Sequence, residues 1–365
     1  MNACYDKVPV IIPALNPDNR IRIFIHFLEE AGFDHIIVVD DGSDSHHKEG
    51  IFRELEEEGV KVLSYDDNQG KGAAIKDGLS YVYDDIPDAI GAVTADYDGR
   101  QSAKAATLIA DKLLEGEEFV LGVRDLEHSN MSKKMRNGYK MVGLTFRVLY
   151  SKRVRDIQTG LRGIGRSLMP YFVDIKGSRY EYEPKMIIDA VRDDIPICEV
   201  DVGPIKPIDM DESTLFVSEN FRPFADSFRI MVVLFVNFIK YAMTSISATA
   251  VDFALFYTLS NHILKDLSLG MCVLLSTVIA RVVSSTLAFL VNRNVVFKSK
   301  DNLVKKMLKF YGLAAIIMFC SAELVTLFVY LFGGGKTFTK LFVDLCLFFI
   351  SYQIQQRFIF KSKDK

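Results

Sequence analysis

Residues 89–101 read AIGAVTADYDGRQ. An apolar run, Ala89 to Val93, stops at two carboxylates one residue apart, Asp96 and Asp98, and glycine, arginine and glutamine follow. A short run of small and β-branched residues suits a buried strand, so the two acids stand at its carboxyl end. Taken alone they have two readings. Asp and Gly are ordinary turn residues, and a pair of strand-end carboxylates is also what a divalent cation needs.

The flanking chain repeats the pattern. VPVIIPAL (8–15), HIIVVDD (35–41), KVLSY (61–65) and EFVLGVR (118–124) read as further strands, and residues 20–31, 46–58, 70–83 and 102–115 have helical spacing between them. Strands alternating with helices of this length indicate βαβ units and a mainly parallel sheet. Ligands of such sheets bind beyond the carboxyl ends of the strands. Three of those ends are polar: Asn16, then Asp40-Asp41-Gly42-Ser43, then Asp96-Tyr97-Asp98. They form one candidate site. No dinucleotide glycine fingerprint follows the first strand, where IPALNPD stands, and no Walker sequence is present. NQGKGAA (68–74) opens a helix, and its amides, with Lys71, suit either a phosphate or a plain helix start.

IPALN, VVDDGSD, NQGKGAA and TADYDG, in this order, resemble family 2 glycosyltransferases, and within them the dolichyl-phosphate mannose synthase type that makes polyprenyl-phosphate sugars. IQTGLRG (157–163) and RYEYEPKMI (179–187) extend the likeness, which covers roughly residues 8–230. It implies a GT-A fold, Rossmann-like and mainly parallel, and a nucleotide-sugar donor. By the family pattern Pro13, Ala14, Leu15 and Asp40 line the nucleoside pocket. Asp96 and Asp98 hold Mg²⁺ or Mn²⁺ on the diphosphate, and Asn16, Asp41 and Lys71 complete the donor site. The chemistry agrees, since hard carboxylate oxygens suit such an ion and a dication offsets charge that grows on a leaving diphosphate. Two departures stand out. The family's Asn-Glu is Asn16-Pro17 here, with Asp18 a substitute for the missing acid. Its DGQH is Asp98-Gly99-Arg100-Gln101, so either Gln101 is the metal-side glutamine displaced by one position, or Arg100 touches phosphate.

Residues 128–155 contain no acid but eight Lys and Arg, interleaved with Met135, Val142, Phe146 and Leu149. A basic amphipathic helix of this kind lies on an anionic membrane surface or packs on the sheet with a solvated basic face. The resemblance brings Arg124 and Arg136 to the donor and acceptor phosphates. A polyprenyl phosphate acceptor is already ionised near neutral pH, so transfer to it reduces to positioning and charge stabilisation. Asp98, Arg124 and Arg136 are then the catalytic set. Asp156 and Glu183 are the carboxylates to test as base if the acceptor is a hydroxyl.

Charge divides the chain: the net value is −12 over residues 1–225 and +9 over 226–365, against −3 overall. The second part holds four apolar stretches of bilayer length, roughly 241–264, 268–291, 308–332 and 337–356. The N-terminus lacks the pattern of a signal peptide. The five cysteines have neither paired nor ligand-like spacing and read as small core residues. Lys and Arg concentrate in 292–310 and at the C-terminus, which places both chain ends in the cytoplasm by the positive-inside rule. We expect a cytosolic transferase domain (1–226), an interfacial lead-in helix (227–239) and an all-α domain of four transmembrane helices (240–365) in the inner (cytoplasmic) membrane. VNRNVVFKSK (291–300) and IQQRFIFKSK (354–363) each follow a span and suggest a duplicated helical pair.

Such a four-span domain resembles the GtrA family, whose proposed role is moving polyprenyl-phosphate sugars across the membrane. Asp252, Arg281, Glu323 and Asp344 lie within the spans, where charges need partners or a polar path. Arg281 either pairs with Asp252 or Glu323, or meets the lipid phosphate. The expected partners are a nucleotide sugar, a polyprenyl phosphate and the bilayer, with no nucleic acid and with a homo-oligomer left open. A nucleotidyltransferase would want a glycine-rich loop with arginine in place of IPALNPD. A processive polysaccharide synthase would carry QxxRW, and the chain has no tryptophan. The non-enzyme alternative is a lipid-linked sugar transporter whose soluble domain only binds the nucleotide sugar.

Overall fold

Val10–Ala14 (β1), Ile36–Asp40 (β2) and Gly91–Thr94 (β4) are buried along their whole length. Strands covered on both faces are read as continuous apolar runs in parallel α/β sheets, and these three lie side by side. The computed structural model describes residues 5–97, 102–129, 132–204, 223–297, 299, 302–332 and 336–360. With Lys61–Ser64 (β3), Phe119–Arg124 (β5), Arg162–Gly165 (β6) and Cys198–Gly203 (β7), the strands form one seven-stranded sheet in the order β3-β2-β1-β4-β6-β5-β7. Four of its pairings are parallel. β6 alone runs antiparallel, to both neighbours, with Thr94 opposite Arg162 and Leu121 opposite Arg162 on the other side. The register Ala14↔Asp40 brings the ends of β1 and β2 level.

Helices cover the sheet. Arg20–Glu30 (α1) buries Ile21, Phe24, Ile25 and Leu28 at helical spacing. The expected helix 46–58 is broken into Ser45–His47 (α2), a π turn over Lys48–Phe52 and Arg53–Glu57 (α3). Gly50 inside that turn removes the side chain that would favour a regular helix. Lys71–Asp85 (α4) and Ala103–Leu114 (α5) follow, the latter capped by Ser102 Oγ on the amide of Ala105. Lys133–Tyr150 (α6), Met169–Val173 (α7) and Tyr182–Arg192 (α8) complete this part.

The chain divides into two units, Met1–Leu234 and Phe235–Lys365. The boundary falls inside one helix, Pro223–Thr258 (α9), so residues 227–239 belong to the same helix as the first span and are not a separate element. No Gly or Pro interrupts the chain between 224 and 258, and nothing local would end the helix. Leu269–Val291 (α10), Leu303–Phe332 (α11) and Lys336–Ile354 (α12) follow. Four helical segments are long and apolar enough to cross a membrane: Ile230–Ile263, Leu269–Val296, Leu303–Leu331 and Thr337–Ile359.

The two echoed motifs take the same shape. α10 runs into a π turn over Asn292–Val296 and α12 into one over Gln355–Ile359. Equivalent residues then meet each other. Asn292 Nδ2 donates to Gln355 Oε1 at 3.1 Å, and the Phe297 and Phe360 rings stack at 5.1 Å with 12° between planes. Matching positions of the two motifs thus touch each other, as the sequence echo of the two helical pairs leads one to expect.

Candidate active site

The ends of β1 and β2 are tied together by side chains. Asn16 leaves β1 in the left-handed region (φ 46°), which asparagine tolerates better than most residues. Its amide donates to Ser43 Oγ at 2.9 Å, and its Oδ1 accepts from the Asp44 amide at 3.0 Å. Asp40, fully buried, accepts the Ser43 amide at 2.8 Å through Oδ1, while Oδ2 meets no hydrogen-bond partner. A buried carboxylate oxygen left unpaired is costly and is suited to receive a ligand's N–H. Pro13 and Ala14 are buried beside it, and Leu15 is half-buried with its carbonyl accepting from Tyr97 Oη at 3.3 Å.

The glycine-rich loop closes against this edge. Asp41 Oδ1 accepts the amides of Gln69 and Gly70 at 2.8 and 2.7 Å. Burial raises the carboxyl pKa of Asp41, against the lowering effect of those two amides. Gly70 has φ 107°, and a Cβ there would lie 2.5 Å from the Ser178 carbonyl, so only glycine fits between the loop and the segment leading into α8. Lys71 is therefore delivered at the first turn of α4. Its Nζ lies 2.7 Å from Asp96 Oδ1 and 3.0 Å from both carboxylate oxygens of Glu183. Burial would lower the lysine pKa, but Asp96 and Glu183 outweigh it and keep the ammonium charged.

Asp96 itself sits just past β4. A Cβ on Gly160 would fall 2.2 Å from Asp96 Oδ2, so the 157–163 motif leaves room for this carboxylate by omitting a side chain. Among the described residues no group of three His, Cys, Asp or Glu could hold a metal. Asp98, Arg100 and Gln101 lie outside the described residues. The described part supplies one hard oxygen donor of the kind a dication takes, the Asp96 carboxylate at the end of β4, and the Lys71 ammonium rests on it.

Across the sheet, Arg124 ends β5 and meets Asp156 through Nε–Oδ2 at 2.6 Å and Nη2–Oδ1 at 2.9 Å, both side chains buried. Burial alone would lower the Arg124 pKa; the Asp156 carboxylate more than offsets this and raises it. The Tyr139 ring of α6 lies 5.1 Å from the guanidinium. Arg136 on the same helix reaches the Ser129 carbonyl at 3.5 Å and Glu127 at 3.7 Å, with its Nε buried and unpartnered. α6 buries Val142, Phe146 and Leu149 and exposes Met141, Leu144 and Val148. In the membrane unit, Arg281 Nη2 lies 3.2 Å from Asp252 Oδ2, and Ser284 Oγ donates to Asp252 Oδ1 at 3.0 Å. Of the two carboxylates expected as ion-pair partners of Arg281, Asp252 is the one in contact.

Two residues escaped sequence reasoning. Arg162, fully buried, donates to the carbonyls of Thr159 (3.0 Å) and Glu183 (2.6 Å), and so holds the 157–163 motif against α8. Tyr139 carried no signal beyond its place in a basic helix.

A mostly parallel sheet with acidic strand ends, followed by four helices long and apolar enough to cross a membrane, makes this an α/β domain joined to a helical domain of the membrane-spanning type. Residues 10–171 match the model of glycosyl transferase family 2, and residues 240–360 match that of the GtrA/DPMS transmembrane domain. UDP-N-acetylglucosamine–dolichyl-phosphate N-acetylglucosaminyltransferase of Methanococcus voltae is 31% identical over 223 residues, covering 54% of this chain and 84% of that protein. Glycosyltransferase AglJ of Haloferax volcanii is 29% identical over 163 residues, covering 44% of this chain and 51% of its own length. Among solved structures, glucosyl-3-phosphoglycerate synthase from Mycobacterium tuberculosis, in complex with Mn²⁺, UDP and glucosyl-3-phosphoglycerate, shares 19% identity at a TM-score of 0.46. That alignment covers 63% of this chain and 79% of the synthase. The chain belongs to the family 2 glycosyltransferases, with a GT-A-type soluble domain and a GtrA/DPMS-type membrane domain.

Proposed function

We propose that this chain is a metal-dependent, inverting glycosyltransferase that moves a hexose or N-acetylhexosamine from a UDP- or GDP-sugar to a polyprenyl phosphate. One observation carries the acceptor class. The two carboxylates named above as candidate bases for a hydroxyl acceptor, both among the described residues, are engaged in buried pairs, Asp156 with Arg124 and Glu183 with Lys71. A lipid phosphate needs no base, because its oxygen is ionised when it arrives; the second phosphate pKa is about 6.

The residues then divide the work. The unpartnered Oδ2 of buried Asp40 receives an N–H of the nucleobase, and Pro13, Ala14 and Leu15 wall the nucleoside. Asn16 and Asp41 hold the strand-end loops in shape rather than reaching for the donor themselves. Asp96 with Asp98, and Gln101 beside them, would hold Mg²⁺ or Mn²⁺, which neutralises charge on the departing diphosphate when bound. Lys71 adds a point charge at the same diphosphate. Arg124, oriented by Asp156 and Tyr139, faces the donor phosphates, and Arg136 takes the acceptor phosphate. Transfer follows from alignment and electrostatic stabilisation of the two anions at close range.

The membrane domain anchors the chain in the cytoplasmic membrane with both termini and the catalytic domain on the cytoplasmic side, in line with its basic ends. It aids passage of the lipid-linked sugar toward surface polysaccharide or glycan assembly. The donor and acceptor in the name of the Methanococcus relative, UDP-N-acetylglucosamine and dolichyl phosphate, are the first to test. The experiment offers purified full-length protein in detergent a panel of UDP- and GDP-sugars with Mn²⁺, with and without dolichyl or undecaprenyl phosphate. Nucleoside diphosphate release that requires both one donor and the lipid supports the reading. Release that ignores the lipid counts against it.

A further inference from the structure

The Lys71–Asp96 contact places a side-chain cation on the carboxylate assigned to the metal. We propose that Lys71 guards this seat: in the donor-free protein its ammonium holds Asp96, the divalent ion enters together with a nucleoside diphosphate that draws Lys71 away, and Glu183 retains Lys71 through the exchange. The inference rests on the donor reading above and adds the order in which the site fills.

The geometry leaves the backbone no part in the exchange. Gly70 is pinned through the Asp41 carboxylate, and the Ala73 amide donates to the Ser178 carbonyl at 2.9 Å. A Cβ on Gly72 would lie 2.5 Å from Tyr182 Cβ, so the start of α4 is packed hard on α8. Glu183 is fixed in turn by Arg162 on its carbonyl at 2.6 Å, and is 7% exposed. What can move is the lysine stem. Lysine is a compact point charge on four rotatable carbons with three donors, so it can swing between partners where an arginine fork would not.

Charge decides the direction. The Lys71 ammonium lies between two carboxylates, Asp96 and Glu183, either of which suits a cation. A bare dication must nevertheless displace an ammonium in contact at 2.7 Å. A dication carrying a diphosphate brings anionic oxygens that take Lys71 in exchange. Throughout, Lys71 keeps Glu183, so neither is left buried and unpaired, a state that is strongly destabilising. Glu183 is thus a positioning residue, which accounts for a buried carboxylate at a site whose acceptor needs no base. The expected result is that metal and nucleotide bind cooperatively, and by linkage each strengthens the other equally.

The test is Mn²⁺ titration of the full-length protein in detergent, read by the electron paramagnetic resonance signal of free Mn²⁺. It is run without nucleotide and with UDP or GDP. Wild type should gain Mn²⁺ affinity when the preferred nucleotide is added, by a factor of roughly 5–150. Lys71→Gln should bind Mn²⁺ about tenfold more tightly than wild type without nucleotide and lose most of the nucleotide-dependent gain. Glu183→Gln should weaken donor-free Mn²⁺ binding, because Lys71 then rests on Asp96 alone. Equal Mn²⁺ affinity of Lys71→Gln and wild type without nucleotide overturns the proposal. So does a wild-type Mn²⁺ affinity that bound nucleotide leaves unchanged, a comparison that needs no variant. If wild type takes up neither nucleotide at any Mn²⁺ level, the transferase reading fails instead, and the donor-free comparison still decides the role of Lys71.

Discussion

Arg124 and Asp156 form a two-point ion pair in the interior of the sheet, with side chains 5% and 1% exposed. The pair links the end of β5 to the loop before β6, and the Tyr139 ring lies 5.1 Å from the same guanidinium. Removing one member leaves a buried charge alone, which costs roughly 3–5 kcal/mol. Asp156→Asn should therefore lower unfolding stability of the soluble domain by about that amount, read by chemical denaturation of the full chain in detergent. A change under about 1 kcal/mol would show that the pair is solvated in practice.

The exposed stripe on α6 makes a second prediction. Met141, Leu144 and Val148 are 56%, 61% and 46% exposed and share one helical face, while Lys140 and Arg147 flank it. Apolar residues edged by basic ones suit an anionic bilayer surface. In liposomes, a fluorophore on Leu144→Cys of the full-length chain should be quenched by spin-labelled lipid and shielded from aqueous iodide. Quenching by iodide alone would mean that this face meets water.

The contact between the two echoed motifs of the membrane unit is testable by a double-mutant cycle. Gln355 accepts from Asn292 and also donates to Tyr241 Oη at 3.0 Å and Ser351 Oγ at 3.1 Å. Hydrogen bonds between transmembrane helices average about 0.6 kcal/mol, with a maximum near 1.7. Asn292→Leu and Gln355→Leu should each destabilise the protein, and the double variant should show a coupling of that order. Strict additivity would contradict the contact.

Alkaline stability carries a sign. Burial first, and then the bond that Tyr5 Oη donates to Asp111 Oδ1 at 2.9 Å, push the Tyr5 hydroxyl up to about 12. The unfolded chain ionises near 10. Between these values the folded state holds a proton that the unfolded state has lost, so this contribution is fully present below pH 10 and fades as pH rises through 12. Tyr5→Phe should flatten the fall in melting temperature across that window. An unchanged slope would assign it to other groups.

Much of the fold could be read directly. Five strands were legible because β-branched runs bounded by turn residues have one natural interpretation, and β1 to β5 each fall within the runs expected of them. β6 was not, because RGIG alternates two glycines with an arginine and an isoleucine. Its arginine, Arg162, reads as a surface charge, yet it is buried because three backbone carbonyls converge on it. The strand-end acids were legible as a group from topology alone. Their pairing was not: Lys71, Asp96 and Glu183 come from three separate elements, and only the approach of α4 to α8 unites them. The single helix across residues 223–258 was also unreadable, since a change in composition at Ser227 marks a change of surroundings without any break in the backbone.

In the proposed reaction one sugar, without its phosphate, moves to a lipid phosphate. The most direct measurement incubates the full-length protein with labelled UDP-N-acetylglucosamine, dolichyl phosphate and Mn²⁺, extracts the lipid and determines the product mass. Other UDP- and GDP-sugars and undecaprenyl phosphate are run in parallel, with Asp98→Ala as control. The account predicts a polyprenyl monophosphate sugar from one donor, absent with the variant. A polyprenyl diphosphate sugar, or label that never enters the lipid from any donor, would contradict it.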